Sequence, residues 1–162
     1  MPLPAGADAP TFRLPDGEGT PRTLGDLAPE GTALLAFFKT SCPTCRLAFP
    51  VYGELARRYG DALPVVAVTQ SAMDTTRPWL DEHGFAGPVL DDERGRFSVS
   101  RAFDVRAVPT LVLVEDGKVV ATSEAWDRVR VNDWARELGG RTGRDTSPVS
   151  TEADGRPVFK PG

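Results

Sequence analysis

The chain holds two cysteines and no others, both within 37-FFKTSCPTCRLAFP-50 and three positions apart. At that spacing in the first turn of a helix, two side chains share one face about 5 to 6 Å apart, so a disulfide between Cys42 and Cys45 can close and reopen with little rearrangement. Pro43 suits the first helical position, which places Cys42 where unpaired N–H groups and the positive end of the helix dipole favour an anion. Its pKa should fall and its thiolate fraction rise, making Cys42 the nucleophile and Cys45, deeper in the helix, the resolving thiol. Two other uses compete. A zinc site needs four ligands, and the sequence offers one histidine, His83, and no second cysteine pair, so no metal is expected unless a dimer shares one. A local structural bridge closes too small a loop to remove much unfolded-state entropy, and a domain of this length buries enough surface to fold without a staple.

The elements that must position the pair follow from periodicity. An apolar run, 32-TALLAFFK-39, reads as a strand buried on both faces leading into the motif. Leu47, Val51 and Leu55 then recur every four residues, giving a helix from Pro43 to Tyr59-Gly60, with a kink expected at Pro50. A second buried strand is expected at 64-PVVAVT-69, a helix at 75–85 ending at Gly84, a short strand at 88-PVLDD-92 and a helical stretch near Phe97 to Phe103. The segment 110-TLVLVEDGKVVATS-123 reads as a hairpin turning at Asp116-Gly117, and 131-VNDWARELGG-140 as a helix closed by glycine. Residues 9–27 suggest an irregular N-terminal hairpin. Strands alternating with helices describe an α/β sandwich. We place the domain at 1–140, followed by a polar tail at 141–162, flexible or loosely docked, with Val158 and Phe159 as its docking side chains.

Nineteen basic and 23 acidic residues leave a mildly negative charge with no basic, aromatic-interleaved stripe, so nucleic acid is not an expected partner. No apolar run is long enough to span a bilayer, and the start carries no signal-like segment. The chain as written is expected to be soluble, cytoplasmic and monomeric, or periplasmic or membrane-tethered if a signal or anchor has been removed.

Beyond the dithiol, 104-DVRAVPTLVLVEDGKVV-120 sets Val108-Pro109-Thr110 directly before a buried strand. With strand-CPTC-helix, this combination resembles the thioredoxin superfamily. Pro109 lies 67 positions after Cys42, leaving room for one extra α/β unit over Asp74 to Asp92. That insertion, the N-terminal arm and CRLAFP after the motif are similar to the TlpA-like and AhpC/TSA-related redoxin branch, over roughly residues 7 to 139. The resemblance implies a three-layer α/β/α sandwich with a central mixed sheet, an N-terminal hairpin and an inserted α/β unit. It implies a cis-proline at Pro109 facing the cysteines, target binding at Val108, Pro109, Pro43 and Thr44, and thiol-disulfide oxidoreductase activity with no bound cofactor. Partners would be a disulfide-containing protein and an unidentified reductase.

The pattern also breaks. Ser41 stands where thioredoxins carry tryptophan, Ala36 where they bury an aspartate, and Ala48 where TlpA-like proteins often place a glutamate, acids that help deprotonate the resolving thiol. Lys39 is the candidate substitute for proton transfer. A thiol peroxidase is the alternative reading, although Thr40 falls one place out of register with the peroxidatic threonine; a non-enzymatic redox-sensing or binding module is the third. His83 reads as an exposed residue near a helix end, Asp91, Asp92 and Glu93 as a solvated acidic turn, Phe38 as packing beneath the motif, and Trp79 as a core or groove filler that could border the site.

Overall fold

The computed structural model describes residues 1–162. The N-terminal arm forms a two-residue hairpin, β1 (Leu14–Pro15) and β2 (Pro21–Arg22), and a single helical turn, α1 (Leu24–Leu27). A capping box holds that turn. The Thr23 hydroxyl accepts from the Asp26 N–H at 3.2 Å, and the Asp26 carboxylate accepts from the Thr23 N–H at 2.8 Å.

The first apolar run becomes β3 (Thr32–Phe38), buried at every residue after Thr32. It leads into α2 (Pro43–Tyr59), in which Pro50 lies within an unbroken run of helix. β4 (Val65–Thr69) pairs parallel to β3, α3 (Met73–Glu82) follows, and β5 (Val89–Asp91) pairs parallel to β4. These last two elements are the inserted α/β unit. After α4 (Ser98–Ala102), β6 (Thr110–Glu115) runs antiparallel to β3 and turns into β7 (Lys118–Glu124). Asp116 and Gly117 both have positive φ, 49° and 76°, the requirement of a tight I′ hairpin. The sheet order is β5-β4-β3-β6-β7, mixed, with β3 at its centre. The strand that delivers the dithiol therefore has a neighbour on each side, and its end is fixed between them.

Because side chains alternate across a strand, Phe37 and Phe38 serve opposite faces. Phe38 packs on Phe49 of α2 and stacks on Trp79 of α3, with ring centroids 4.3 and 5.2 Å apart. Phe37 meets Phe103, just after α4, at 5.6 Å, and Phe103 in turn meets Phe12 of the arm. Beyond β7 come β8 (Trp126–Asp127) and α5 (Arg128–Thr142), whose first N–H groups are capped by the Asp127 carboxylate. α5 packs beside α2, where the Tyr59 hydroxyl donates to the Ala135 carbonyl at 3.1 Å. The result is a mixed sheet layered by helices, the thioredoxin-like sandwich.

Two readings of the sequence change in the structure. Of the acidic turn only Glu93 is exposed to solvent, while Asp91 and Asp92 are 1% and 0% exposed. Asp92 accepts from the N–H groups of Val99 and Ser100 and from the Ser100 hydroxyl, while Asp91 accepts from the Arg94 N–H, so both carboxylates organise the entry to α4. The second concerns the tail. α5 continues to Thr142, two residues past 140, and Gly143 closes it at φ 69°. From there residues 144–162 return across α2. Arg58 donates to the Ser147 carbonyl at 2.7 Å and Asn132 to the Ser150 carbonyl at 2.9 Å, a 3₁₀ turn forms at Glu152–Asp154, and β9 (Phe159–Lys160) pairs antiparallel with β8. Val158 and Phe159, expected to dock this segment, are 57% and 56% exposed. Hydrogen bonds to its backbone from Arg58 and Asn132, and the packing of Val149 against the core, hold it instead. No helix of the structure is long and apolar enough to cross a membrane.

Candidate active site

Cys42 is the N-cap of α2, with extended backbone (φ −86°, ψ 116°) and Pro43 directly after it. Its sulfur accepts from the Cys45 N–H at 3.2 Å, so one of the unpaired donors of the first turn points at it. When protonated, the thiol of Cys42 donates in turn to the Val108 carbonyl, 3.4 Å away. Both cysteines are free thiols, Cys42 nearly and Cys45 fully buried. The Val108–Pro109 peptide bond is cis, and it brings the loop before β6 against the dithiol across 66 residues of sequence.

The two thiols diverge electrostatically. Cys42 is lowered to about 6, first by the hydrogen bond from the Cys45 thiol, then by the N–H groups of Cys45 and Thr44 and the charge of Lys39, against an opposing effect of burial. Burial pushes Cys45 well above the ordinary thiol range, and its hydrogen bond to Cys42 pushes it the same way. One sulfur is an anion near neutrality and the other keeps its proton, the division of labour that nucleophile and resolving thiol require.

The residues around the pair sort clearly. Thr44 is buried in the first turn of α2, and Pro43 is exposed beside it. Lys39 is exposed, and its carbonyl accepts from the Cys42 N–H at 3.2 Å. Thr40 donates through its N–H to the Ser71 hydroxyl at 3.0 Å, and its own hydroxyl also meets Ser71, at 3.1 Å, which ties it to the β4–α3 connection. Ala36 and Ala48 are fully buried, so apolar packing occupies the two places expected for the acids of thioredoxins and of TlpA-like proteins. His83 caps α3 half-buried, its Nδ1 2.7 Å from the Trp79 carbonyl and its ring stacked on that indole. Trp79 therefore belongs to the aromatic core behind the motif. Two features escaped the sequence reading. Tyr52 is buried in the same helix, held protonated chiefly by burial and secondarily by the charge of the cysteines. The second is the end of the chain. The Thr44 hydroxyl donates to the Pro161 carbonyl at 2.6 Å, and Gly162 lies against the Val108 backbone. Contacts spanning 117 residues leave no periodic signal.

A mixed sheet whose central strand hands a CPTC pair to a helix N-terminus, opposite a cis-proline loop, defines a redoxin of the thioredoxin superfamily. The AhpC/TSA family model matches residues 5–123, and the chain belongs to that family. It is 29% identical over 119 residues to the thioredoxin-like protein YneN of Bacillus subtilis, an alignment covering 71% of this chain and 68% of that one. It is 33% identical over 120 residues to the thiol-disulfide oxidoreductase ResA of the same organism, covering 71% and 64%. Among solved structures, a putative thiol:disulfide interchange protein DsbE from Chlorobium tepidum shares the fold with a TM-score of 0.75 at 24% identity, over 87% of this chain and 99% of that one. The alignment with ResA thus takes in somewhat under two thirds of that relative's length. These likenesses carry a redox function of the thiol-disulfide kind at the level of the family.

Proposed function

We propose that the protein is a dithiol-disulfide oxidoreductase that reduces or exchanges disulfides of protein substrates. The observation that carries this reading is the opposite displacement of the two thiols, Cys42 lowered to about 6 and Cys45 raised by burial, at one helix N-terminus. The Cys42 thiolate attacks one sulfur of a substrate disulfide, forming the Cys42–substrate bond and releasing the other substrate sulfur as a thiolate. Cys45 then loses its proton and attacks the Cys42 sulfur, which closes the Cys42–Cys45 disulfide and releases the second substrate thiolate. Two electrons pass from the dithiol to the substrate, and a separate dithiol reductant returns them. Val108, Pro109, Pro43 and Thr44 line the approach to Cys42 and are the groups against which an extended target chain would lie.

With no acid at Ala36 or Ala48 to take it, the Cys45 proton passes to water, and the charge of Lys39, which favours the thiolate of both cysteines, assists the transfer. The test is turnover of a protein disulfide with a dithiol reductant in excess, beside consumption of hydrogen peroxide under the same conditions. Disulfide turnover well above peroxide consumption is the expected result; the reverse order would make the protein a thiol peroxidase. In the same assay Lys39→Ala should slow release of the mixed disulfide and shift its pH dependence upward. An unchanged rate and profile would leave the lysine without this role.

A further inference from the structure

The face that a substrate must reach is already occupied by a segment of the same chain. Arg156 donates to the Leu47 carbonyl on α2 at 2.8 Å, the Trp126 indole donates to the Pro157 carbonyl at 2.7 Å, and the Arg128 N–H donates to the Val158 carbonyl at 2.8 Å. β9 then pairs with β8, and beyond it the Thr44 hydroxyl donates to the Pro161 carbonyl at 2.6 Å. Gly162 reaches the Val108 carbonyl so closely that a Cβ at this position would overlap it. That same carbonyl accepts the Cys42 thiol. The segment therefore touches both elements that flank Cys42, the first turn of α2 and the cis-proline loop, and Cys42 is only 5% exposed.

The manner of docking is that of a ligand. The contacts run through carbonyls, through the Arg156 guanidinium and through a residue without a side chain, while the apolar side chains of Val158 and Phe159 point outward. A buried apolar anchor would make the segment part of the core. Backbone hydrogen bonds with exposed side chains instead are the terms on which an added strand binds, and such bonds individually contribute only about 0.5 to 1.5 kcal/mol.

We propose that residues 156–162 are a displaceable strap that occupies the substrate cleft as an internal extended peptide and limits access to Cys42 until a target chain takes its place. This deepens the oxidoreductase reading and rests on it for the identity of the cleft. It also assigns Thr44 a positioning role, its hydroxyl holding a backbone carbonyl of whichever peptide is bound.

The experiment uses the full chain carrying Gly162→Val and Arg156→Ala, the first to clash with Val108 and the second to remove the anchor on α2. The second-order rate of Cys42 alkylation by iodoacetamide, assigned by mass spectrometry, should rise about tenfold or more, the factor for a strap docked nine-tenths of the time. Adding a peptide of the sequence of residues 155–162, GRPVFKPG, should restore protection. A rate within twofold of the parent, or a slower one, overturns the proposal, as does failure of the peptide to protect. If the double variant does not fold by circular dichroism, Gly162→Val alone, which alters no core residue, carries the same prediction. Alkylation reports access whether or not disulfides are exchanged. Faster alkylation without disulfide turnover would therefore remove the oxidoreductase reading and leave the strap, whereas active turnover with unchanged alkylation would do the opposite.

Discussion

Replacing Cys42 with serine is expected to abolish disulfide exchange, with a loss of at least about a thousandfold, because a hydroxyl at a helix N-terminus remains protonated at any working pH and no other thiol in the chain is reachable. Cys45→Ser should behave differently. The first half-reaction, attack by Cys42, needs no group on Cys45 other than a hydrogen-bond donor to the sulfur, which serine also supplies. The second half-reaction has lost its nucleophile, so the mixed disulfide between Cys42 and substrate accumulates stoichiometrically. Intact-protein mass spectrometry after mixing with a disulfide-bonded peptide reads both outcomes, as no adduct for Cys42→Ser and one adduct per chain for Cys45→Ser. Adduct formation on Cys45 in the Cys42→Ser protein would reverse the roles assigned here.

The pH dependence of Cys42 carries the second large effect. With its pKa at about 6 in place of the ordinary 9.0, the alkylation rate should be half-maximal near pH 6 and level above it. Thiolate fraction and thiolate reactivity pull in opposite directions. At pH 7 the shift raises the thiolate fraction about 90-fold, but with a Brønsted slope near 0.4–0.5 the weaker base is about 20-fold less nucleophilic, leaving a net gain of only about fourfold. At pH 5.5 the same arithmetic leaves a gain of about 40-fold, so the advantage is greatest in mild acid. The principal consequence at neutrality is thermodynamic. An anion stabilised by one unit below the ambient pH favours the dithiol by about 1.4 kcal/mol, about 30 mV toward a more oxidising couple. Since the largest cause of the shift is the Cys45 thiol, Cys45→Ala should move the half-point upward, and an unmoved half-point would take that hydrogen bond out of the account.

The stability of the dithiol form should follow the same linkage. The folded pKa of Cys42 lies below its unfolded value, so its contribution is complete above about pH 9 and is lost as pH falls toward 6. Cys45 has the opposite sign, with a contribution present below about pH 9 and lost as pH rises further. Compared with Cys42→Ser, the parent should gain melting temperature between pH 6 and 9.

Much of this site was legible because its parts are local. Cys42, Pro43 and Cys45 lie within one turn, so their relation to a helix N-terminus follows from spacing alone, and β3 announces itself by seven consecutive residues without a charge. The hairpin at Asp116-Gly117 was equally plain, since both positions need positive φ and the flanking runs are apolar. What the sequence concealed was long-range or depended on burial. Asp91 and Asp92 look like solvent-facing acids until the α4 N–H groups close over Asp92. The 144–162 segment has the composition of an unattached tail, yet carbonyls and arginines bind it, and backbone groups are the same at every position of any sequence. Its side-chain pattern pointed to Val158 and Phe159, the two residues that face away from the domain.

The central claim is that Cys42 and Cys45 form a reversible two-electron couple, and a redox titration in defined dithiol buffers, quenched by thiol trapping and read by mass, tests it most directly. The account predicts a single two-electron transition between a chain with two trapped thiols and one with none. Its midpoint should lie above the value of about −270 mV typical of thioredoxin, in the direction that a Cys42 pKa of about 6 sets. A chain that keeps two trappable thiols across the whole range of buffers, or that oxidises only to intermolecular or sulfinic products, would contradict it.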